Sequence, residues 1–238
     1  MFILSKKKVY IFLSVLLVLT VAVQIKDKLK IEQESLETVA LPVNNKVIIL
    51  DAGHGGEDGG ANTADGVTEA DINLKITLKV QNLLEQAGAT VILTRSDENG
   101  IYDLDKTTLR QKKVSDIKNR VKIGNESSAD IFISIHLNKI PQEQYWGWQT
   151  FFKNGNEASK KLAQSLQQGL NESIQKENKR DSLKIENVYI IENVEVPTSI
   201  VECGFLSNQK EKEQLQTEEY QNKLAWGIYI GIMDYFIE

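Results

Sequence analysis

The chain has 238 residues, a formal net charge of −5, one cysteine and two histidines. The acidic balance argues against a nucleic-acid-binding protein, which would carry a basic surface. A single cysteine excludes an intramolecular disulfide, a cysteine-based zinc finger and an iron–sulfur cluster within one chain. With 41% hydrophobic residues the chain can bury a core. Any chemistry that needs imidazole must use His54 and His136.

The first 45 residues differ in composition from the rest. Lysines at positions 6–8 precede an apolar run from Val9 to Val23, which is the pattern of an export signal. No A-x-A cleavage site is obvious, which favours an uncleaved anchor over a cleaved signal. We predict a signal anchor or signal peptide over residues 1–25 and a polar tether over residues 26–45. A buried core helix is the alternative interpretation of the apolar run.

The rest of the chain alternates between strand and helix patterns. A short apolar run that ends at a Gly-rich loop predicts the first strand. Thr68 and Asp71 as a capping pair and Gly88 as a stop signal favour a helix after it. The predicted strands are 46–51, 89–94, 130–136, 146–152, 187–191 and 198–202, and the predicted helices are 68–86, 116–126, 157–177 and 218–236. This order predicts a single α/β domain with a twisted, mostly parallel sheet and helices on both faces.

The polar residues of interest follow the ends of predicted strands, where open sheets of this kind bind ligands. Three such segments are Asp51–Gly56, Ser134–Asn138 and Val201–Gly204. A fourth polar segment, Thr68–Asp71, begins the first helix of the domain. Both histidines therefore lie at one edge of the predicted sheet, with carboxylates at comparable positions.

Two neutral imidazoles and one carboxylate are the protein ligands of a hydrolytic zinc site, with a position left for water. A further carboxylate that does not bind the metal can move protons. Each residue also has a structural interpretation. His54 and His136 could be hydrogen-bonded structural residues, and Glu69 could favour the helix dipole. Glu202 lies in an apolar run, so it needs either a function or a buried ion pair.

Four other features have competing interpretations. Asp51 either accepts a proton from a metal-bound imidazole or caps its loop. Trp146 and Trp148 either stack on a sugar or pack in the core. Cys203 is interpreted as a small buried apolar residue, because no third histidine remains to activate it. The Gly-rich loop after Asp51 lacks the sequence of a phosphate-binding loop, and its glycines would let His54 point inward.

Taken together, five segments resemble the zinc-dependent N-acetylmuramoyl-L-alanine amidase family of the amidase 3 type. They run in order along the domain. They are ILDAGHGGEDGGA at 49–61, TEADINL at 68–74, LTR at 93–95, the run from Arg120 through SSADIFISIHLN at 127–138, and VECGFLSN at 201–208. The short chain with one N-terminal apolar segment is most similar to the CwlD type, which serves the cortex peptidoglycan of endospores.

The resemblance implies roles for individual residues. His54, Glu69 and His136 match the family's metal ligands for one Zn²⁺, and Glu202 matches its catalytic glutamate. Asp51 and Asn138 are candidates for supporting the ligands or the substrate. Residues 46–238 would form the catalytic amidase domain.

The resemblance also implies an activity and its partners. The enzyme would hydrolyse the amide between the muramic acid lactyl group and L-alanine, as a step towards muramic δ-lactam. Its partners would be a peptidoglycan glycan strand with its stem peptide, the membrane if the N-terminal segment stays uncleaved, and an accessory activator protein, with no nucleic acid. The chain would be exported to the outer face of the cytoplasmic membrane or to the spore envelope.

Two rival functions remain open at this point. A zinc peptidase or deacetylase of the cell wall could use the same ligands. A membrane-tethered wall-binding scaffold with a dead site would lack a ligand or the acid, and all four matching residues are present.

Overall fold

The structure, a computed structural model, describes residues 6–37 and 41–237. The chain divides into two compact units, residues 1–41 and residues 42–238. The first unit contains helix α1 (Lys6–Glu37), which runs on through the predicted boundary at residue 25. Within these described ranges, no helix has both the length and the hydropathy of a membrane span. Residues 1–5 and 38–40 of the predicted signal segment and tether lie outside the described residues.

The second unit is built on one six-stranded sheet. Its strand order is β2-β1-β3-β6-β4-β5. The four neighbouring strands β2, β1, β3 and β6 run parallel to one another. Strand β4 is antiparallel to β6 and parallel to β5. The elements in chain order are β1 (Val47–Ala52), α2 (Glu69–Gln86), β2 (Thr90–Leu93), α3 (Leu109–Glu126), β3 (Ile131–Asn138), β4 (Gln149–Lys153), α4 (Glu157–Ile174), β5 (Leu183–Ile185), α5 (Tyr189–Asn193), β6 (Thr198–Phe205), α6 (Gln209–Leu215) and α7 (Glu218–Ile237). The predicted α/β fold with a mostly parallel sheet is confirmed.

The two faces of the sheet are covered unequally. Helices α2 and α4 pack on one face, with α7 against both, and this side holds Ile133 and Ile135 of β3 in the larger core. On the other face Phe132 packs with residues of α3 and α5 in a much smaller core. Because side chains alternate along a strand, His136 lies on the face with the thinner cover. The open space needed for a ligand is therefore on the α3 and α5 side.

Several local predictions differ from the structure. The predicted strand at 187–191 is wrong, because Tyr189–Asn193 is a short helix whose Ile190 and Ile191 are both buried. A short apolar run does not distinguish a buried strand from a buried helix. Helix α3 begins at Leu109 instead of 116, at a capping box formed by Thr108 and Gln111. Strand β5 has only three residues and helix α6 is short and polar, so the hydrophobic pattern did not reveal them.

Helices α4 and α7 cross at very short distance because glycines lie at the contact. A Cβ atom added at Gly231 would lie 2.5 Å from the Cα of Leu166 and 2.6 Å from the carbonyl oxygen of Ser165. A Cβ at Gly169 would lie 2.4 Å from the carbonyl oxygen of Gly227. These contacts are to backbone atoms, so a larger residue would force the two helices apart.

We predict that Gly231→Ala lowers the free energy of unfolding by about 1–3 kcal/mol, the usual cost of overpacking a core. The loss should appear even though alanine is the better helix former by about 1 kcal/mol. Chemical denaturation of the variant would measure it. Asn222→Ala, at an exposed position of α7, is the control and should not destabilise the protein. Equal stability of Gly231→Ala and the native chain would contradict the close crossing.

Candidate active site

The loop after β1 brings His54 to the carboxyl edge of the sheet. His54 has a φ of +64°, a left-handed conformation that is uncommon for residues other than glycine. The preceding Gly53 passes against the ring of His136, where an added Cβ would lie 2.3 Å from the ring carbon Cε1. Only glycine allows the two imidazoles to come this close, and their ring centroids are 5.0 Å apart.

Two buried arginines hold the backbone of this loop. Arg120 donates to the carbonyl oxygens of Ala52 at 2.7 Å and His54 at 2.6 Å. Arg95 donates to the carbonyl oxygens of Ala52 at 2.9 Å and Gly53 at 3.1 Å. The carbonyls of three successive residues are thus fixed, which stabilises the unusual backbone at His54. These arginines lie within the segments that carried the family resemblance, but sequence reasoning gave them no role.

Glu69 enters the site as the first residue of α2. Thr68 caps the helix by accepting a hydrogen bond from the backbone N–H of Asp71 at 3.2 Å, as predicted. The Glu69 carboxylate is buried and accepts hydrogen bonds from the backbone N–H groups of Ala61 at 2.8 Å and Leu137 at 3.1 Å. These bonds fix both oxygens and aim the carboxylate at the histidines.

The three predicted metal ligands meet at one point. Oε1 of Glu69 lies 3.0 Å from Nδ1 of His136 and 3.3 Å from Nε2 of His54. One donor atom from each of the three residues lies within 4.8 Å of the other two. A tetrahedral ion with bonds of about 2.0–2.1 Å separates its ligand atoms by roughly 3.3 Å. The residues therefore fit a small divalent cation such as Zn²⁺.

The charges of the cluster fit the same conclusion. Burial disfavours the imidazolium, but the carboxylates of Asp58 and Glu69 outweigh it and raise the pKa of His54 to about 9. In the metal-free protein a proton on His54 thus balances the two carboxylates. A divalent cation bound by neutral imidazoles would replace that positive charge.

A carboxylate that sequence reasoning missed, Asp58, supports His54. Its Oδ2 lies 2.9 Å from Nδ1 of His54, which leaves Nε2 directed at Glu69. A carboxylate on the second nitrogen of a ligating histidine fixes the tautomer and ring orientation. Sequence analysis left Asp51 either this role or the capping of its loop, and in the structure its carboxylate is bound by Thr94, Ser134 and Arg120. The spacing of four residues between His54 and Asp58 in the loop was the available signal.

Asp51 is instead the centre of a buried polar network behind the loop. It accepts hydrogen bonds from Thr94 at 2.7 Å and Ser134 at 2.5 Å, and Oδ1 pairs with Nη1 of Arg120 at 2.6 Å. Burial alone would raise the pKa of Asp51, but Arg120 and the two hydroxyls lower it below its usual range. Asn138 lies at the end of β3, where its carbonyl oxygen accepts from Leu206 N–H at 2.8 Å.

Glu202 faces the ligand cluster from the neighbouring strand. It is the register partner of His136 across β3 and β6. Its Oε2 is buried and has no hydrogen-bond partner among the residues that the structure describes. Burial, together with the nearby charge of Glu69, raises the pKa of Glu202 to about 7. A carboxyl group of this kind can accept a proton and return it near neutral pH.

The raised pKa of Glu202 predicts a pH-dependent stability. In the folded, metal-free protein Glu202 holds its proton up to about pH 7, whereas the ordinary pKa of a glutamate carboxyl is 4.5. Below pH 4.5 Glu202 does not lower the free energy of unfolding, because the carboxyl group is protonated in both the folded and the unfolded state. As pH rises above 4.5 the unfolded state loses this proton first, and the protein loses stability. The loss is complete above pH 7, at roughly 3 kcal/mol for a shift of this size. Denaturation of native protein and Glu202→Gln at pH 4 and pH 8 would measure it. The Gln variant should be relatively more stable at pH 8, and parallel pH profiles would contradict the shift.

Cys203 and Trp148, which the sequence analysis singled out, lie in the larger core, on the side of the sheet away from the cleft. Cys203 is fully buried in the larger core, where burial raises the pKa of its thiol. Trp148 is also fully buried, and its Nε1 donates to Asn171 at 2.7 Å. Core packing is therefore the observed role of Trp148, while Trp146 stays partly exposed.

A family model described as N-acetylmuramoyl-L-alanine amidase matches residues 48–234. The chain belongs to this family. It is therefore an amidase, a hydrolase that acts on a C–N amide bond in the cell wall, and the predicted resemblance is confirmed.

Individual relatives are similar to this amidase in sequence and structure along most of its length. The germination-specific N-acetylmuramoyl-L-alanine amidase of Bacillus subtilis is 36% identical over 205 residues, which are 86% of each protein. The structure of the CwlD amidase from Clostridioides difficile, in complex with the GerS lipoprotein, is 46% identical with a TM-score of 0.78. It covers 80% of this chain and 98% of that one. An N-acetylmuramoyl-L-alanine amidase from Clostridium difficile 630 is 29% identical with a TM-score of 0.71, covering 82% and 98%.

The amidase presents its site in a cleft of about 380 Å³ on the α3 and α5 side of the sheet. His54, His136 and Glu202 line the cleft together with apolar residues of β4, β6 and α5. The two imidazoles and the carboxyl group of Glu202 are therefore reached from one opening.

Proposed function

We propose that this amidase is zinc-dependent and cleaves the amide between the lactyl group of muramic acid and L-alanine in peptidoglycan. The observation that carries the proposal is the gathering of His54, Glu69 and His136 beside a carboxyl oxygen of Glu202 that has no hydrogen-bond partner in the described part of the chain. The ligand set matches a hydrolytic metal site, and the free carboxyl group matches the acid–base partner that such a site needs.

The ligands and Glu202 divide the chemistry between them. His54, Glu69 and His136 would hold Zn²⁺, which would polarise the amide carbonyl and lower the pKa of a bound water to about 7. Glu202 accepts the proton of the attacking water and then delivers it to the amide nitrogen. The C–N bond breaks, L-alanine leaves with a free amino group, and the lactyl carboxylate remains.

Glu202 must fill this role because both histidines serve as ligands. Asp58 holds Nδ1 of His54, and His136 points its Nδ1 at Glu69. The chain has no third histidine. The proton transfer therefore depends on a carboxyl group whose pKa lies near neutrality.

The ligand assignment predicts that His136→Ala lowers the zinc content. Loss of one of three protein ligands should cost at least tenfold in zinc affinity, since even residues that only orient ligands cost 10–100-fold. Metal analysis of the purified full chain after dialysis against a weak chelator would measure the stoichiometry. Trp226→Ala, at an exposed position of α7, is the control and should keep its zinc. Unchanged stoichiometry in His136→Ala would remove this residue from the ligand set.

The bond specificity is tested by the products. Peptidoglycan digested by the full chain, with and without added zinc, would be analysed by mass spectrometry. We expect free L-alanyl peptides and intact glycan with lactyl carboxylates, formed only with the metal. A cut within the peptide would indicate a peptidase, released acetate a deacetylase, and no product a binding scaffold.

We further propose that the substrate is the cortex peptidoglycan of endospores, as a step towards muramic δ-lactam. The germination-specific relative and the CwlD structure support this. The CwlD structure was solved in complex with a lipoprotein, so an accessory partner of this kind is proposed here too. Export is expected of an enzyme that acts on the wall, through residues 1–25 as signal peptide or anchor. Deletion of the gene should remove muramic δ-lactam from spores, and its normal content would contradict the cortex role.

A further inference from the structure

The two walls of the active cleft differ in chemistry. One wall is apolar and comes from β4, β5, α5, β6 and the turn before α5. The opposite wall comes from α3 and is mostly charged. The apolar wall consists of Phe151, Ile185, Val188, Ile190 and Ile200, and α3 contributes Lys113, Asp116 and Arg120 with one apolar residue, Ile117. A ligand that fills the cleft must therefore offer alkyl groups to one side and charge to the other.

The charged wall contains one cation that can reach a ligand. All three nitrogens of Arg120 are engaged by Asp51, Asp116 and backbone carbonyls, and the side chain is only 3% exposed. Lys113 is 47% exposed, and its Nζ lies 2.7 Å from Oδ1 of Asp58. An ammonium group has three donors, so Lys113 can bind a second carboxylate while it keeps Asp58.

We infer that Lys113 binds a carboxylate of the stem peptide and so helps select the substrate. This inference rests on the proposed function, which places an L-alanyl peptide on one side of the scissile bond. A sugar with hydroxyl and N-acetyl groups would leave polar groups unpaired against Phe151, Ile190 and Ile200. The aliphatic parts of a peptide fit that wall, and the carboxylate next along the peptide then faces Lys113.

A purely structural role for Lys113 makes a different prediction. Lys113 contacts Asp58, and Asp58 holds His54. If Lys113 only steadied Asp58, its loss would disturb the metal site and slow every substrate equally. If Lys113 binds the substrate, its loss would affect only substrates that carry the carboxylate.

The test uses two muropeptides with the same glycan that differ at the second stem residue. One carries D-glutamate with a free α-carboxylate, and the other carries the α-amide, D-isoglutamine. We expect the zinc-loaded native chain to favour the free acid by about fivefold in kcat/KM, mainly through KM, as for a partly exposed ion pair. Lys113→Met should lose this preference, and Lys113→Arg should keep it.

The neighbouring lysine provides a matched control. Lys112 pairs with Glu57 and does not line the cleft, so Lys112→Met should retain the preference. Equal cleavage of both substrates by the native chain would overturn the inference, and so would a preference that survives Lys113→Met. A native chain that cuts neither substrate at the L-alanine amide would overturn the proposed function itself.

Discussion

Glu202→Gln is expected to lose hydrolysis while it keeps zinc. Glutamine preserves the shape of the side chain on β6 but can neither take a proton from water nor return it to the amide nitrogen. General acid–base catalysis contributes about 10²–10⁴-fold, so kcat should fall within that range. His54, Glu69 and His136 are unchanged, and the metal stoichiometry should be unchanged as well. Product release from a defined muropeptide and metal analysis of the same sample would measure the two quantities.

A matched surface variant separates this effect from a general effect of an acid-to-amide change. Glu195 is exposed, in the turn before β6, and Glu195→Gln should keep full activity. The Glu202→Gln protein should also be more stable than the native chain in metal-free buffer at pH 8, because it removes a carboxylate whose burial is costly. A Glu202→Gln enzyme with normal kcat would show that another group carries the proton.

Arg120→Met is expected to be among the most destabilising single changes in the domain. It leaves the Asp51 carboxylate fully buried without its cation, and it removes the donors to the carbonyls of Ala52 and His54. Breaking a buried ion pair from one side costs about 3–5 kcal/mol. Chemical denaturation at neutral pH should show a loss of this size in the free energy of unfolding.

The origin of this loss is tested by removing both charges. Asp51→Asn combined with Arg120→Met should be less destabilised than Arg120→Met alone, because no uncompensated charge remains buried. Lys118→Met, at an exposed position of the same helix, is the control and should change stability little. If Arg120→Met changed the free energy of unfolding as little as Lys118→Met, the buried pair would contribute nothing to the fold.

The sequence predicted the architecture because the period of its hydrophobic residues is strong in the long elements. The apolar runs that became β1, β3 and β6 each end at a polar segment, and the carboxyl ends of parallel strands meet at one edge. This placed His54, His136 and Glu202 together at one edge of the predicted sheet. The capping pair of Thr68 and Asp71 likewise placed Glu69 at the start of a helix.

The periodicity failed where elements are short. Five residues at Tyr189–Asn193 form a helix, although their apolar run predicts a strand. Three residues at Leu183–Ile185 form an edge strand that is too short to show a hydrophobic period. In such segments the packing of the rest of the domain, not the local pattern, selects the backbone conformation.

The sequence by itself determined the fold class, the edge of the sheet that holds the site, and the residues His54, Glu69, His136 and Glu202 that gather there. Only the tertiary structure decided which charged groups pair. Asp51 binds Arg120 and Asp58 binds His54, whereas the sequence left Asp51 as a partner of an imidazole or a cap of its loop and gave Asp58 no role. The structure alone also set Lys113 across the cleft from an apolar wall. Strand alternation fixes the face on which a side chain lies, but charge pairing depends on distances between segments far apart in the chain.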